Sequence, residues 1–185
     1  MSTITQPPTT RTRLVRAASM GAFAGVIGSL MMAGYAMVAA ATYQGSGFFT
    51  PLHHIASVFL SPADMMSSME SAMGGSNFEF FAGPAILGAL IHMMVGAMYG
   101  VTFGILASLT RIGGMALVAA ATLWGGLVFV ISSFVGLPLA AAIFDSGDQI
   151  ADMAELVGYG TFIVEHLIFG LFLGLVLVMG TRRTR

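Results

Sequence analysis

The 185-residue chain is 57% hydrophobic and only 8% charged, with a net charge of −1 and no cysteine. A water-soluble domain carries about a quarter of its residues as charged types, so this chain has too few polar groups to coat a water-facing surface. All seven basic residues are arginines, which leaves no basic face for nucleic acid, no phosphate-loop lysine and no Schiff base, while the missing cysteines exclude disulfides, thiolate metal sites and covalently attached haem.

Residues 1–16 open with Ser, Thr and Pro, then carry Arg11, Arg13 and Arg16, and read as a flexible cytoplasmic leader. An apolar run over 17–43 follows. About 20 helical residues cross a hydrocarbon core of about 30 Å, so this run is long enough to span. Ala39-Ala40-Ala41 would suit signal cleavage. Cleaved signals, however, have apolar cores of about 7–15 residues, and an uncleaved span is expected.

The outer loop, 44–79, contains Thr50-Pro51 as N-cap and first helical residue, and Ser61-Pro62-Ala63-Asp64 as a capping box ahead of Gly74-Gly75. Met65, Met66, Met69 and Met73 follow one stripe of the second segment. Two short outer helices lying along the interface are expected. Spans two and three cover 80–109 and 113–137, joined by a short turn around Arg111 that makes them antiparallel neighbours. A second outer loop carries Asp145, Asp148, Asp152 and Glu155, with Ser146 and Gln149 as cap partners, the acids favouring a helix N-terminus. Span four covers 154–180, and the tail 181–185 holds Arg182, Arg183 and Arg185.

Every arginine therefore falls on one side of a four-span layout, and seven of the eight acids fall on the other. The positive-inside rule places both termini in the cytoplasm. Tyr43 and Tyr159 suit an aromatic belt at the outer boundary. The fold class expected is all-α: a polytopic membrane protein built as a four-transmembrane-helix bundle over 17–180.

Span two reads His92-x-x-x-Gly96-x-x-x-Gly100 and span four His166-x-x-x-Gly170-x-x-x-Gly174, both running from outside to inside. This repeat suggests two hairpins related by a pseudo-two-fold along the membrane normal, with the histidines at one depth. On that view alanine at either histidine should act alike. Residues four apart share a helix face, and small residues let helix backbones approach in lipid, so Gly96, Gly100, Gly170 and Gly174 are the helix-packing positions.

Matching depth brings Tyr35, Ser132 and Ser133 toward His92, Glu165 and His166, the candidate intramembrane polar cluster. Ionisable groups inside a span are functional by default; the plainer role is an interhelical hydrogen-bond cluster. Glu165 and His166 point about 100° apart, so only one of them is expected to face the interior.

Three functions fit these residues. The first is a non-enzymatic accessory or structural membrane component, with lipid, other membrane subunits or a second copy as partners. The second is proton or metal-ion movement, copper being suggested by 15 methionines and by His53, His54, Met65 and Met69 as outer ligands. The third is a b-type haem held between His92 and His166. No hydrolase motif is present, and an enzyme is not expected. The outer Gly45-Ser-Gly-Phe-Phe-Thr-Pro51 segment, His92 with Gly96 and Gly100, and His166 with Gly170 and Gly174 together resemble small uncharacterised four-helix membrane proteins of bacteria. The resemblance implies a bacterial inner membrane and carries no activity with it.

Overall fold

The computed structural model describes residues 9–110 and 112–182. The leader reading for residues 1–8 and the arginines at 111, 183 and 185 lie outside that range, as does the Arg182 side chain. All regular structure among the described residues is helical. α1 runs over Thr10–Ala41, entering the expected flexible leader because the Thr9 hydroxyl caps it, accepting the Thr12 N–H at 3.3 Å.

α2 (Thr50–Ala56) and α3 (Ala63–Met73) form the first outer loop. Neither uses its expected cap. Thr50 lies inside α2, donating to the Ser46 carbonyl and pairing with the Ser68 hydroxyl at 2.8 Å, so its side chain ties α2 to α3. The residue before α3 is Pro62, and the Ser61 hydroxyl accepts only the Ala63 N–H. α4 (Ala82–Thr110) then crosses back.

α5 (Gly114–Ile131) continues through a π-helical turn, Ser132–Gly136, into α6 (Leu137–Phe144), well past the expected stop at 137. Pro138 brings no N–H for the Phe134 carbonyl and its ring crowds that group; a widened turn lets the helix pass the proline without breaking. Asp145, at φ 52°, closes the rod in the left-handed region. α7 (Asp148–Ala151) and α8 (Met153–Val157) make the second outer loop, where the Gln149 amide folds back to donate to the Ser146 carbonyl and the Ser146 hydroxyl has no partner among the described residues. Gly158, at φ 86°, breaks the chain before α9 (Tyr159–Arg182).

α1, α4, the α5–α6 rod and α9 are long and apolar enough to cross a membrane. They pack in the order α4, α1, α9, α5. α1 is therefore flanked by α4 and α9, and α9 by α1 and α5. α4 and α5 meet little beyond the Phe103–Trp124 ring pair, 5.9 Å apart, and an apolar groove of about 280 Å³ opens between them. The shared core lies on the side of the α1 N-terminus: Ala24, Phe103, Leu117, Val118, Ala121, Phe169, Leu173 and Leu177.

Outward from this core the helices expose large apolar side chains, among them Phe23, Leu30, Ile86, Leu90, Met94, Leu123, Leu127 and Leu139. A bundle surrounded by water places polar residues there.

Candidate functional site

Small residues set the helix contacts. A side chain at Gly100 would run into the Gly21 carbonyl and lie 2.8 Å from Gly25 Cα, and one at Gly25 would run into the Gly96 carbonyl. In the other pair, a side chain at Gly170 would meet the Ala121 carbonyl and lie 2.9 Å from Thr122 Cα; one at Gly125 would meet the His166 carbonyl. The four repeat glycines thus sit hard against the facing helix, Gly96 against the Ser29 side chain and the other three against backbone.

The two interfaces correspond, though in a different register from the repeated motif. A shift of 100 residues carries Gly21 and Gly25 onto Ala121 and Gly125, and a shift of 70 carries Gly96 and Gly100 onto His166 and Gly170. His166 thereby takes the place of Gly96, and His92 that of Phe162. Counted from the helix starts, His92 lies ten residues into α4 and His166 seven into α9, because Gly158 delays α9 beyond the expected start at 154. The histidines therefore differ in depth by roughly one helical turn.

Their surroundings differ too. His92 is half-buried, and its Nε2–H donates to the Ser29 carbonyl of α1 at 3.1 Å. His166 is buried; its Nδ1–H donates to the Phe162 carbonyl of its own helix at 2.7 Å, and its ring packs on Phe162 and Phe129. Both nitrogens named carry the proton, since a carbonyl only accepts.

Glu165 and His166 are both buried, against the expectation that one would turn away. α9 has a neighbour on each side. Phe162, His166, Gly170 and Gly174 form the stripe toward α5. Thr161, Glu165 and Phe169 form the stripe toward α1: Phe169 lies on Gly28, and the Thr161 hydroxyl pairs with Tyr43 just beyond the end of α1. The Glu165 carboxyl forms no hydrogen bond among the described residues and is 5% exposed.

Tyr35 also joins this face, being seven residues beyond Gly28 on the same α1 stripe. Its hydroxyl pairs with Tyr43 at 3.1 Å, and Tyr43 pairs with Thr161 at 3.1 Å. Tyr43, 63% exposed, is the middle of three linked hydroxyls that join Tyr35 of α1 to Thr161, four residues before Glu165 on α9. Sequence reasoning missed Tyr43 and Thr161 as site residues. Thr161, four residues before Glu165, was the available signal.

Ser132 and Ser133 lie in the π-helical turn, and the buried Ser133 hydroxyl has no partner among the described residues. The outer histidines diverge. His54 Nε2–H donates to the Gln149 carbonyl at 2.6 Å, bridging the two outer loops. His53 Nε2 accepts the Phe81 N–H at 3.4 Å, which puts the ring proton on Nδ1, buried and without a partner among the described residues. Desolvation lowers the pKa of both; the Asp64 and Glu79 carboxylates oppose it at His53, and the Gln149 carbonyl opposes it at His54. Met65 is buried whereas Met66, Met69 and Met73 are exposed, and no group of three His, Asp or Glu side chains placed to hold a metal occurs among the described residues.

No protein family, curated protein or solved structure matches this chain.

Proposed function

We propose that this chain is a multi-pass protein of a bacterial inner membrane, both termini cytoplasmic, acting as a non-enzymatic component of a membrane assembly. The observation that carries the membrane reading is the apolar exterior of four long helices, joined to a sequence in which arginines and acids fall at opposite ends. Apolar packing at the arginine end favours a packed component over a conduit, since side chains fill the path a solute would need. The groove between α4 and α5, lined by Phe103, Leu106, Leu123, Trp124 and Leu127, leaves a surface on which lipid or a partner helix would gain apolar contact.

Two experiments test this. Reporter fusions at the C-terminus should be active only in the cytoplasm; a periplasmic report overturns the orientation. Membranes solubilised in mild detergent and resolved on a native gel should show the protein in a band well above its 19.2 kDa mass plus micelle. Migration as a lone monomer, with no co-purifying subunit, overturns the assembly role.

A further inference from the structure

We propose that Glu165 is a reversible proton-binding site that opens to the outer face through the hydroxyls of Thr161, Tyr43 and Tyr35 and is sealed toward the cytoplasm. This inference rests on the membrane reading above and adds a function to it.

The levels follow from the α1–α9 contact. Gly28 and Phe169 touch, so they define one height. At 1.5 Å per residue, Glu165 lies about 6 Å outward of it, Tyr35 about 10 Å and Thr161 about 12 Å. Tyr35 thus stands between the carboxyl and Thr161 in height, and Tyr35 and Glu165 are within electrostatic reach of each other. Inward of Glu165 the same face of α9 continues as Phe169, Leu173 and Leu177, packed in one core with Ala24 of α1. Protons therefore have a polar approach from one side only.

Other charged or titratable neighbours do not neutralise the carboxyl. On α9, His166 turns toward α5 and holds its Nδ1 proton on the Phe162 carbonyl. From α1 come Tyr35 and, past its end, Tyr43. His92 on α4 faces the Ser29 carbonyl, α5 offers the Phe129 ring to His166, and Glu155 on α8 is exposed. A carboxylate left unpaired in such a place is costly, and taking up one proton from outer water removes the charge. The exchange balances simply: the carboxylate gains the proton that a hydronium loses, and each hydroxyl on the way gives one proton and receives one.

Dicyclohexylcarbodiimide adds across a protonated carboxyl in apolar surroundings to give an N-acylurea that retains all atoms of both reactants. Sealed right-side-out vesicles containing the full chain would be treated with it and the labelled peptide located by mass spectrometry. Label is expected on Glu165 and absent in E165Q. Raising the external pH above the midpoint should lower the labelling rate about tenfold per unit, whereas changing only the internal pH should leave it unaltered. T161V should slow the response to an external pH jump. An unlabelled Glu165 in membrane-inserted protein overturns the site while leaving the membrane reading intact, and dependence on internal pH overturns its sidedness. Release of the chain by alkaline carbonate overturns the membrane reading and this site with it.

Discussion

Gly100→Ala tests the packing directly. The added methyl would lie 2.8 Å from Gly25 Cα and 3.0 Å from its nitrogen, besides meeting the Gly21 carbonyl. Carbon atoms attract best at about 3.5–4.0 Å, so α1 and α4 must separate by close to an ångström over this turn. No flexible side chain can yield, because every obstructing atom is backbone. Overpacking of this kind costs about 1–3 kcal/mol. Gly34, in α1 with nothing within 4 Å of such a methyl, provides the control. There alanine should gain up to about 1 kcal/mol of helix propensity. The two variants should therefore shift stability in opposite directions and differ by about 1–4 kcal/mol. Unfolding in mixed micelles, titrated with sodium dodecyl sulfate and followed by circular dichroism, reads the difference. Equal midpoints for G100A and G34A would refute backbone contact as the source of the α1–α4 association.

His166→Ala should destabilise more than His92→Ala in the same titration: the first empties a buried site between Phe129 and Phe162, about 2 kcal/mol or more, while the second loses one interhelical bond of about 0.6 kcal/mol. Equal losses would restore the symmetric reading of the repeat. The lowered pKa values of His53 and His54 mean that the unfolded loops bind protons the folded ones reject, so their contribution is complete above the ordinary value of 6.5 and is lost as pH falls below it. Amide exchange over α2 and α7 should accelerate on that descent, and H54F should blunt the effect; a flat profile contradicts the burial argument. Ser133→Ala, which removes a buried hydroxyl without a partner, should leave the unfolding midpoint unchanged or raise it. A clear loss of stability would show that the hydroxyl has a partner in the membrane.

Hydropathy and charge made the long helices legible, since about 20 apolar residues in a row have few other uses. Helix ends were less so. Thr50-Pro51 looks like an N-cap pair, but Ser68, 18 residues away, claims the threonine hydroxyl, and no local pattern announces that partner. Pro138 reads as a stop because a proline disrupts an α-helix; the π turn that accommodates it depends on tolerance spread over Ser132–Gly136. The apolar stretch read as span four begins at 154, whereas Gly158 adopts a positive φ and the helix restarts at Tyr159. Glu165 and His166 were legible as polar residues within a long apolar run. That both are buried follows from α9 having neighbours on two faces, which is a fact of tertiary order and not of helical period.

The repeated motif and the repeated contact disagree by one turn, and the chemistry at position 166 explains how both can exist. In the α1–α4 pair the Gly96 carbonyl faces Gly25, and a side chain at Gly96 would overlap the Ser29 hydroxyl. In the α5–α9 pair the same carbonyl contact is made by His166 to Gly125, and the residue standing where Ser29 stood is Phe129. What the contact requires from the second helix is a carbonyl, which any residue supplies; only the small residue opposite, Gly25 or Gly125, is constrained. Position 166 is thus free to carry a ring once its neighbour offers an aromatic surface 5.9 Å away in place of a hydroxyl at its Cβ. A histidine there leaves the backbone approach intact while filling the side toward the outer loops. The pairing of glycines four residues on, Gly100 and Gly170, keeps both helices close below it.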